Sequence, residues 1–324
     1  MALNNSLVSI VVVTYNSSQF VIEMLNSISS QTWGEIELII TDDSSKDNTI
    51  ELCEDWLIAN KQRFVHSQII QVPQNTGIAA NCNRGLNAAS GDWIKYCAGD
   101  DALMPRCIEQ NMQFVGENPD VRVLFSYARI YSETFDEKNF VRKIPGTTPT
   151  HIINPEITAH SQYRLLLMSD RITFTPSSFI HRQSQLDVGG FNERVKLQED
   201  YPMWLALTRS GIKLYFMEEE TVKYRQHEQA TNNMMIDYLI KPNYFRTEAF
   251  RREYIYPNLP WDVRFEQRFV WYASQMFNNQ VLNRNNRFSR IVYSLFTCWL
   301  NPFKYYLYVK KRAVKELENK EFYL

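Results

Sequence analysis

The sequence predicts an α/β protein with a mixed, mostly parallel sheet that is flanked by helices and followed by a helical carboxyl-terminal appendage. Strand-like and helix-like segments alternate through the first half, and several strands are continuous apolar runs typical of strands buried on both faces of a parallel sheet. Polar residues follow the ends of these strands. Open α/β sheets bind their ligands there.

The first βαβ unit is predicted close to the amino terminus. A β-branched strand from Ser9 to Val13 stops at the polar turn Thr14-Tyr15-Asn16, and apolar residues at helical spacing then predict a helix. A second strand, from Ile36 to Ile40, ends at Asp42 and Asp43. The carboxyl ends of both strands therefore carry polar residues.

The alternation continues beyond this unit, with one interruption. Residues 132–161 contain prolines without apolar periodicity and predict a surface loop. The other predicted elements are a helix carrying Ile50, Cys53, Trp56 and Leu57, a strand over 67–72, a helix over 77–89, a strand over 93–97, a helix after Pro105, a strand over 121–127, a short helix near Tyr163, a strand over 178–181, a helix over 199–209, strands through 213–224, and helices from Met234 onward.

Charge and cysteine content narrow the class of protein. The formal charge is −1, from 35 basic and 36 acidic residues, which gives no indication of nucleic-acid binding. The five cysteines have no metal-like spacing, so we expect them to be reduced. Because no secretion signal precedes the first strand and no long apolar run occurs, we expect a cytoplasmic protein.

The turns after the strands are candidates for binding a nucleotide. Asp42 can accept hydrogen bonds from a base or from ribose hydroxyls, and the alternative is a helix cap aided by Ser44 and Ser45. Asn75 and Gly77 suit a loop that approaches a nucleotide closely, because both residue types tolerate unusual backbone angles. An ordinary turn is the alternative for that loop.

Two pairs of carboxylates follow further along the chain. Asp100 and Asp101 follow the strand over 93–97. Such hard oxygen ligands suit Mg²⁺ or Mn²⁺ bound to a diphosphate. Glu199 and Asp200 open a helix, where the dipole keeps a carboxylate ionised and a general base could be held. Capping of the following helix is the alternative for both pairs.

Together these segments resemble the family 2 inverting glycosyltransferases of GT-A fold. The resemblance rests on Val8 to Asp47, Asn75 to Asn83, Gly91 to Asp101 and Glu199-Asp200. It implies a Rossmann-like GT-A domain over residues 1–230, with a nucleotide-sugar half over 1–130 and an acceptor half over 160–230, and a helical region over 231–324. The nucleotide-sugar contacts that it implies are Thr14, Tyr15, Asn16, Asp42, Asp43, Asn75, Gly77, Asn83 and Asp100.

The same resemblance implies a mechanism. Asp200, beside Glu199, would take the proton of an acceptor hydroxyl, and Mn²⁺ or Mg²⁺ would neutralise the departing diphosphate. The first Asp of the family's Asp-x-Asp motif is replaced here by Ala98, which leaves Asp100 as the main expected ligand. The metal ligands that the resemblance implies are Asp100, Asp101 and His227. Transfer of a hexose from an α-linked nucleotide-sugar, with UDP-sugars favoured, would give a β-glycoside.

The acceptor is expected to bind near the implied base. The candidates for shaping its site are Phe174, Ser178 and Trp204, with core packing as the alternative for Trp204. Bacterial members of the family often extend glycans on polyprenyl-diphosphate lipids. The resemblance therefore implies a glycan or lipid-diphosphate-linked sugar acceptor in the synthesis of a surface polysaccharide, such as the O-antigen of lipopolysaccharide or a capsule.

The region from Val281 to Lys315 is basic and amphipathic. It holds eight Lys or Arg residues and no Asp or Glu, and apolar residues recur at helical spacing. Such a segment could contact an anionic membrane peripherally, at the inner face of the cytoplasmic membrane. Packing of its apolar stripe on the catalytic domain is the alternative.

Two other classes of protein remain as alternatives. A nucleotidyltransferase would normally carry a glycine-rich phosphate loop with a basic residue near the amino terminus, and residues 14–19 lack both. A catalytically inert protein that binds nucleotide-sugars or glycans is the second alternative, because Ala98 departs from the metal motif. The intact Glu199-Asp200 pair argues against inertness.

Overall fold

A computed structural model of the protein describes residues 6–146, 151–195, 199–227, 238–241, 244–245, 247–279, 281–313 and 322. The chain forms two compact units. The first comprises Met1–Leu166 and Asp170–Ala230, and the second comprises Leu167–Ser169 and Thr231–Leu324. The predicted α/β class and the helical carboxyl-terminal region are confirmed.

One sheet organises the first unit. Its strands are β1 (Val8–Thr14), β2 (Ile36–Asp42), β3 (His66–Gln71), β4 (Trp93–Ala98), β5 (Ala102–Leu103), β6 (Val123–Ser132), β7 (Phe140–Ile144), β8 (Phe179–His181) and β9 (Leu214–Gln226). Within the described residues their order is β3-β2-β1-β4-β8-β6-β9-β5, and β7 pairs with β6.

The parallel half of the sheet brings the candidate residues together. Strands β2 and β4 both pair with β1 in parallel, with Thr14 beside Asp42 and Val13 beside Ala98. The carboxyl ends of these three strands therefore meet at one edge. Strand β1 carries an unbroken run of fully buried side chains from Val8 to Val12, as the β-branched sequence predicts.

Helices of the first unit match the predicted apolar stripes. They are α1 (Val21–Ser29), α2 (Thr49–Asn60), α3 (Ile78–Ala88), α4 (Cys107–Glu117), α5 (Ala159–Met168), whose last residues fall in the second unit, α6 (Arg182–Asp187) and α7 (Asp200–Arg209). Leu86 of α3 packs in one core cluster with Val11, Ile39 and Ile94. This packing fixes α3 against the strands that carry the candidate site.

Two predictions about the second half of the sheet were wrong in part. The expected loop over 132–161 contains strand β7, which pairs antiparallel with β6. The strands predicted through 213–224 are a single strand, β9, which runs parallel to β6. Most of β7 is exposed at the sheet edge, so it lacks the apolar alternation that would have predicted it.

The second unit is helical. Its helices are α8 (Glu248–Phe250), α9 (Trp261–Gln275), α10 (Arg287–Ser294) and α11 (Pro302–Ala313), with π-helical turns at Arg251–Ile255 and Leu295–Trp299. Helices α9 and α11 are joined by stacked rings of Phe265 and Phe303 and by an ion pair between Lys310 and Asp262. No described helix combines the length and the apolar character needed to cross a membrane.

Candidate active site

The turns that follow β1 and β2 are joined by hydrogen bonds. The Thr14 hydroxyl donates to Asp42 Oδ2 at 2.8 Å, and the Ser45 N–H donates to Asp42 Oδ1 at 2.8 Å. Asn16 has a left-handed backbone (φ 53°), and its side-chain oxygen accepts from the Lys46 N–H at 2.8 Å. The two turns therefore form one polar surface at the carboxyl edge of the sheet.

Asp42 is fully buried in this surface, whereas Tyr15 is 49% exposed. The Ser45 hydroxyl also donates to Asp42 Oδ2, at 2.5 Å, so the carboxylate closes the turn after β2. This arrangement resembles the capping alternative, although α2 begins only at Thr49. A direct contact between Asp42 and a nucleotide stays a prediction, and Tyr15 offers the exposed ring in this turn.

Asp43 holds the loop that precedes α3. Its carboxylate accepts hydrogen bonds from the N–H groups of Thr76 and Gly77, from the Thr76 hydroxyl and from Arg84 Nη2, at 2.7–3.0 Å. Burial opposes the charge of Asp43, but these hydrogen bonds outweigh it and lower the pKa. Gly77 has φ +94°, an angle that glycine adopts without strain, and Asn75 is exposed beside it.

The low pKa of Asp43 makes part of the stability dependent on pH. We expect Asp43→Asn to lower the free energy of unfolding at neutral pH by about 1–3 kcal/mol, because the charged acceptor is lost. Since a depressed pKa contributes stability that disappears as the pH falls through the folded-state pKa, the difference from wild type should shrink below about pH 4. Urea unfolding at neutral and acidic pH measures it. A difference that does not change with pH would contradict this role.

Asp100 lies in the turn that follows β4 and pairs with His227. The distance from Asp100 Oδ2 to His227 Nε2 is 2.9 Å, and the Asp100 side chain is 31% exposed. The turn lies close to the β1 turn, because a side chain at Gly99 would come within 2.9 Å of Ser17 Cβ. The pair therefore sits at the same sheet edge as the turns after β1 and β2.

Arg225 holds the turn after β4 in place through several contacts. It is 2% exposed, its Nε donates to the Asp100 carbonyl at 2.7 Å, and its other guanidinium nitrogens contact the Glu133 carbonyl and the Glu23 carboxylate. The guanidinium also lies 3.9 Å from the ring centroid of Phe135. Arg225 is therefore a structural support for the position of Asp100.

Asp101 differs from Asp100 in its surroundings. It is 3% exposed, and its Oδ1 accepts from the Arg225 N–H at 3.0 Å. Burial, and then the charge of Asp100, raise its pKa well above the usual range. Asp101 is therefore less accessible to a metal ion than Asp100, and metal binding by Asp101 stays a prediction.

A metal ion would have two ligands of suitable chemistry at this edge. Within the described parts of the chain, no group of three or more His, Cys, Asp or Glu residues is arranged to hold a metal ion. Asp100 and His227 nevertheless supply a carboxylate and an imidazole side by side. Mg²⁺ and similar ions are commonly held by one or two protein ligands, with water and substrate phosphates completing the set.

Glu199 and Asp200 stand at the start of α7. The Thr175 hydroxyl donates to Asp200 Oδ2 at 2.6 Å. Burial raises the pKa of Asp200, and hydrogen bonds from Thr175 and Tyr201 offset part of this effect. Burial, and then the charge of Asp200, raise the pKa of Glu199 to about 7. A carboxylate pair in this state is suited to accept a proton near neutral pH.

Helix α3 links this pair to the polar turns. Burial, and then the charge of Glu199, raise the pKa of the Cys82 thiol of α3, so this residue lies near that carboxylate. The neighbouring Asn83 donates to the Phe191 carbonyl at 2.9 Å and accepts from the Phe191 N–H at 2.8 Å. Asn83 therefore anchors the segment before α7, and its contact with a nucleotide stays a prediction.

The three acceptor candidates are buried. Phe174 is fully buried against Phe125, and Ser178 is 4% exposed, with its carbonyl accepting from Lys95 Nζ at 3.2 Å. Trp204 is 1% exposed and also packs on Phe125, which is the core packing named as its alternative. The Trp204 indole lies near Asp200 and also lowers the pKa of that carboxyl. Acceptor contact by these residues stays a prediction.

Sequence reasoning missed the residues that position the carboxylates. Arg84 contacts Asp43, Thr175 contacts Asp200, and Arg225 supports Asp100. For Arg84 a signal existed, since it lies seven residues after Gly77 and so on the same side of α3. Thr175 carries no such signal, because its contact depends on how distant segments pack.

The fold and the site define a protein of GT-A-like α/β class. The chain belongs to glycosyl transferase family 2, because the profile of that family matches residues 9–171. Putative glycosyltransferase EpsE of Bacillus subtilis is 26% identical over 258 residues, which cover 77% of this chain and 86% of EpsE. An uncharacterized glycosyltransferase of Rickettsia conorii is 27% identical over 228 residues, but the match spans only 35% of its length and 69% of this chain.

Solved structures share the fold. S. aureus TarS 1-349 in complex with UDP-GlcNAc superposes with a TM-score of 0.58 at 16% identity, covering 89% of this chain and 78% of TarS 1-349. The mannosyltransferase PcManGT of Pyrobaculum calidifontis, in complex with GDP-Man and Mn²⁺, gives a TM-score of 0.52 at 14% identity, covering 97% of this chain and 77% of PcManGT. At these identities the likeness concerns the fold.

Proposed function

We propose that the protein is an inverting glycosyltransferase that transfers a hexose from a nucleotide-sugar, with UDP-sugars favoured, to a hydroxyl of a glycan or a polyprenyl-diphosphate-linked sugar. Formation of a β-linkage in bacterial surface-polysaccharide synthesis is part of this proposal. One observation carries it: Asn83 of α3 binds the segment that leads to Asp200, and the same helix contacts the polar turns after β1 and β2. Membership of the family supports the same reaction class.

The residues divide into two groups under this proposal. The turns at 14–16, 42–46 and 75–77 face the nucleotide, and Asp200 faces the acceptor hydroxyl. Because Asp200 is half-buried and accepts a hydrogen bond from Thr175, its orientation is set before the substrate arrives. Asp200 takes the proton from the acceptor oxygen, which attacks the anomeric carbon opposite the departing nucleoside diphosphate. The binding of UDP-GlcNAc by TarS supports the choice of donor.

Asp100 and His227 would hold Mn²⁺ or Mg²⁺, as their donor atoms fit such an ion. When bound, the ion supplies positive charge for the diphosphate leaving group. The complex of PcManGT with GDP-Man and Mn²⁺ supports this part of the proposal. The role of the protein is to keep Asp100 in place, through the bond from Arg225 Nε to its carbonyl.

A donor and acceptor panel tests the function. Purified protein is incubated with UDP- and GDP-sugars and Mn²⁺ or Mg²⁺, with and without GlcNAc- or GalNAc-diphosphate-lipid analogues, and released nucleoside diphosphate is measured. We expect one donor to give acceptor-dependent release. Binding of a donor without turnover on any acceptor would instead favour the inert nucleotide-sugar-binding protein. Release of pyrophosphate from a nucleoside triphosphate and a sugar phosphate would favour a nucleotidyltransferase.

The environment of Asp200 predicts opposite pH shifts in two variants. Thr175→Val removes a hydrogen bond to the ionised carboxylate, so the acidic limb of kcat/KM should move to higher pH by roughly one unit. Glu199→Gln removes the neighbouring charge, so the limb should move to lower pH. Profiles of kcat/KM between about pH 5 and 9 measure both shifts. Shifts in the same direction would rule out Asp200 as the titrating base.

The carboxyl-terminal segment 281–315 is proposed to contact an anionic membrane. Phe288, Ile291, Leu295 and Trp299 recur at helical spacing and are 44–69% exposed. We expect sedimentation with vesicles that contain anionic lipid, and weaker sedimentation in a Phe288→Ser/Trp299→Ser variant because apolar contact is lost. Tyr15→Ser is a control for an exposed aromatic outside the segment. Absence of binding with and without anionic lipid would exclude this contact.

A further inference from the structure

The second unit contains a cavity of about 340 Å³ that is separate from the sequence motifs. It is lined by the segment 248–257 and by α9. Its lining residues are Glu248, Arg252, Tyr256, Pro257, Arg264, Arg268, Trp271 and Tyr272. The volume lies at the small end of the range for sites that bind small molecules.

Several residues that line this cavity carry buried hydrogen-bond donors. Trp271 and Tyr256 are more than nine-tenths buried, and within the described residues neither the indole N–H nor the phenol O–H has an acceptor. Arg264 Nε is also buried and has no acceptor among the described residues, while its Nη2 donates to the Leu259 carbonyl at 3.0 Å. Buried donors without acceptors cost free energy, so three of them around one cavity indicate a ligand that accepts hydrogen bonds.

The cavity is also positively charged. Three arginines line it against one acid, and the Arg252 guanidinium is paired with Glu248 at 2.5 Å. The remaining two guanidinium charges, of Arg264 and Arg268, are not balanced by a lining carboxylate. Hydrogen bonds from Arg268 and Arg252 lower the pKa of Tyr272, which agrees with a positive environment at the mouth.

We propose that this cavity binds a phosphoryl anion, either a phosphate or a diphosphate group. A phosphate dianion matches the two unbalanced guanidinium charges, whereas a single carboxylate would leave one unbalanced. Its terminal oxygens accept hydrogen bonds from the fixed indole, phenol and guanidinium donors. Burial raises the pKa of Tyr256, partly offset by Arg251, so this phenol keeps its proton and acts as a donor at neutral pH.

Calorimetric titration of the full chain with inorganic phosphate and pyrophosphate tests the proposal. We expect saturable binding by wild type and roughly tenfold weaker binding by Arg268→Gln, equivalent to about 1.4 kcal/mol. Arg106→Gln is the matched control, since Arg106, like Arg268, is an exposed arginine on the surface but lies outside this cavity. Asp100→Asn reports any binding at the proposed active site.

Tyr256→Phe separates binding from folding. Removing an unpartnered buried hydroxyl should leave the free energy of unfolding unchanged or increase it, while anion binding weakens several-fold. A purely structural role for Tyr256 would not give this combination. Equal anion affinity in wild type, Arg268→Gln and Tyr256→Phe, or an equal loss in Arg106→Gln, would overturn the proposal.

A vesicle sedimentation experiment distinguishes a lipid headgroup from a soluble source of the phosphoryl group. Phosphatidylcholine vesicles with and without phosphatidic acid are sedimented with wild type and Arg268→Gln. If Arg268→Gln sediments less than wild type only with vesicles that contain phosphatidic acid, the cavity binds a lipid headgroup. Unchanged vesicle binding, together with weakened pyrophosphate binding, assigns it to a soluble phosphorylated ligand.

Discussion

Asp200→Asn should lower kcat for glycosyl transfer by about 10²- to 10⁴-fold, the usual contribution of a general base. The amide keeps the shape of the side chain and can still accept the 2.6 Å hydrogen bond from the Thr175 hydroxyl. It cannot take a proton from the acceptor. The loss should therefore appear in kcat, while donor affinity remains close to that of wild type. Steady-state kinetics with acceptor and calorimetry with donor measure the two quantities.

A matched control is Asp187→Asn, at an exposed carboxylate on α6 that accepts from Gln183 Nε2. Its activity should equal that of wild type. If Asp200→Asn retained more than about a tenth of wild-type kcat, which is a barrier change below about 1.4 kcal/mol, Asp200 would not be the base. Loss of donor binding in the same variant would instead point to a structural role.

Arg225→Gln should lower the free energy of unfolding by about 2–4 kcal/mol, because a buried guanidinium with several partners is removed. Donor affinity should fall as well, since Arg225 Nε holds the Asp100 carbonyl. Arg225→Lys keeps the charge but lacks the planar fork, so it should be intermediate in both respects. Urea unfolding and donor titration are the measurements.

Arg129→Gln serves as the control for losing an arginine from the same sheet. Arg129 forms ion pairs with Glu137 and Glu220, whose side chains are 73% and 35% exposed, and such pairs contribute about 0–1 kcal/mol. A stability loss in Arg225→Gln no larger than in Arg129→Gln would contradict the supporting role of Arg225.

The parallel half of the fold was predictable because its signals are local. Strand β1 is a β-branched run, and the stripe Val21, Met24, Leu25 and Ile28 of α1 is fully buried, as its spacing indicates. Strands β5 and β7 were not predictable in this way. Both are short; β5 pairs with the distant strand β9, and β7 is mostly exposed and so lacks apolar alternation.

The candidate site was also predictable only in part. The positions of Asp42, Asp43 and Asp100 follow from the ends of strands that the sequence reveals. Their separate surroundings do not, because burial of Asp42 and Asp101 and exposure of Asp100 depend on tertiary contacts. The supporting bond from Arg225 crosses 125 residues of sequence, a separation over which spacing carries no information.

The most direct measurement is proton NMR of the first product formed from an α-linked nucleotide-sugar and its acceptor, recorded before equilibration. We expect a new β-glycosidic anomeric signal that grows with nucleoside diphosphate release and is lost in Asp200→Asn. An α-linked product would contradict single displacement with Asp200 as the base. Nucleoside diphosphate release without any new glycosidic signal would contradict glycosyl transfer to that acceptor.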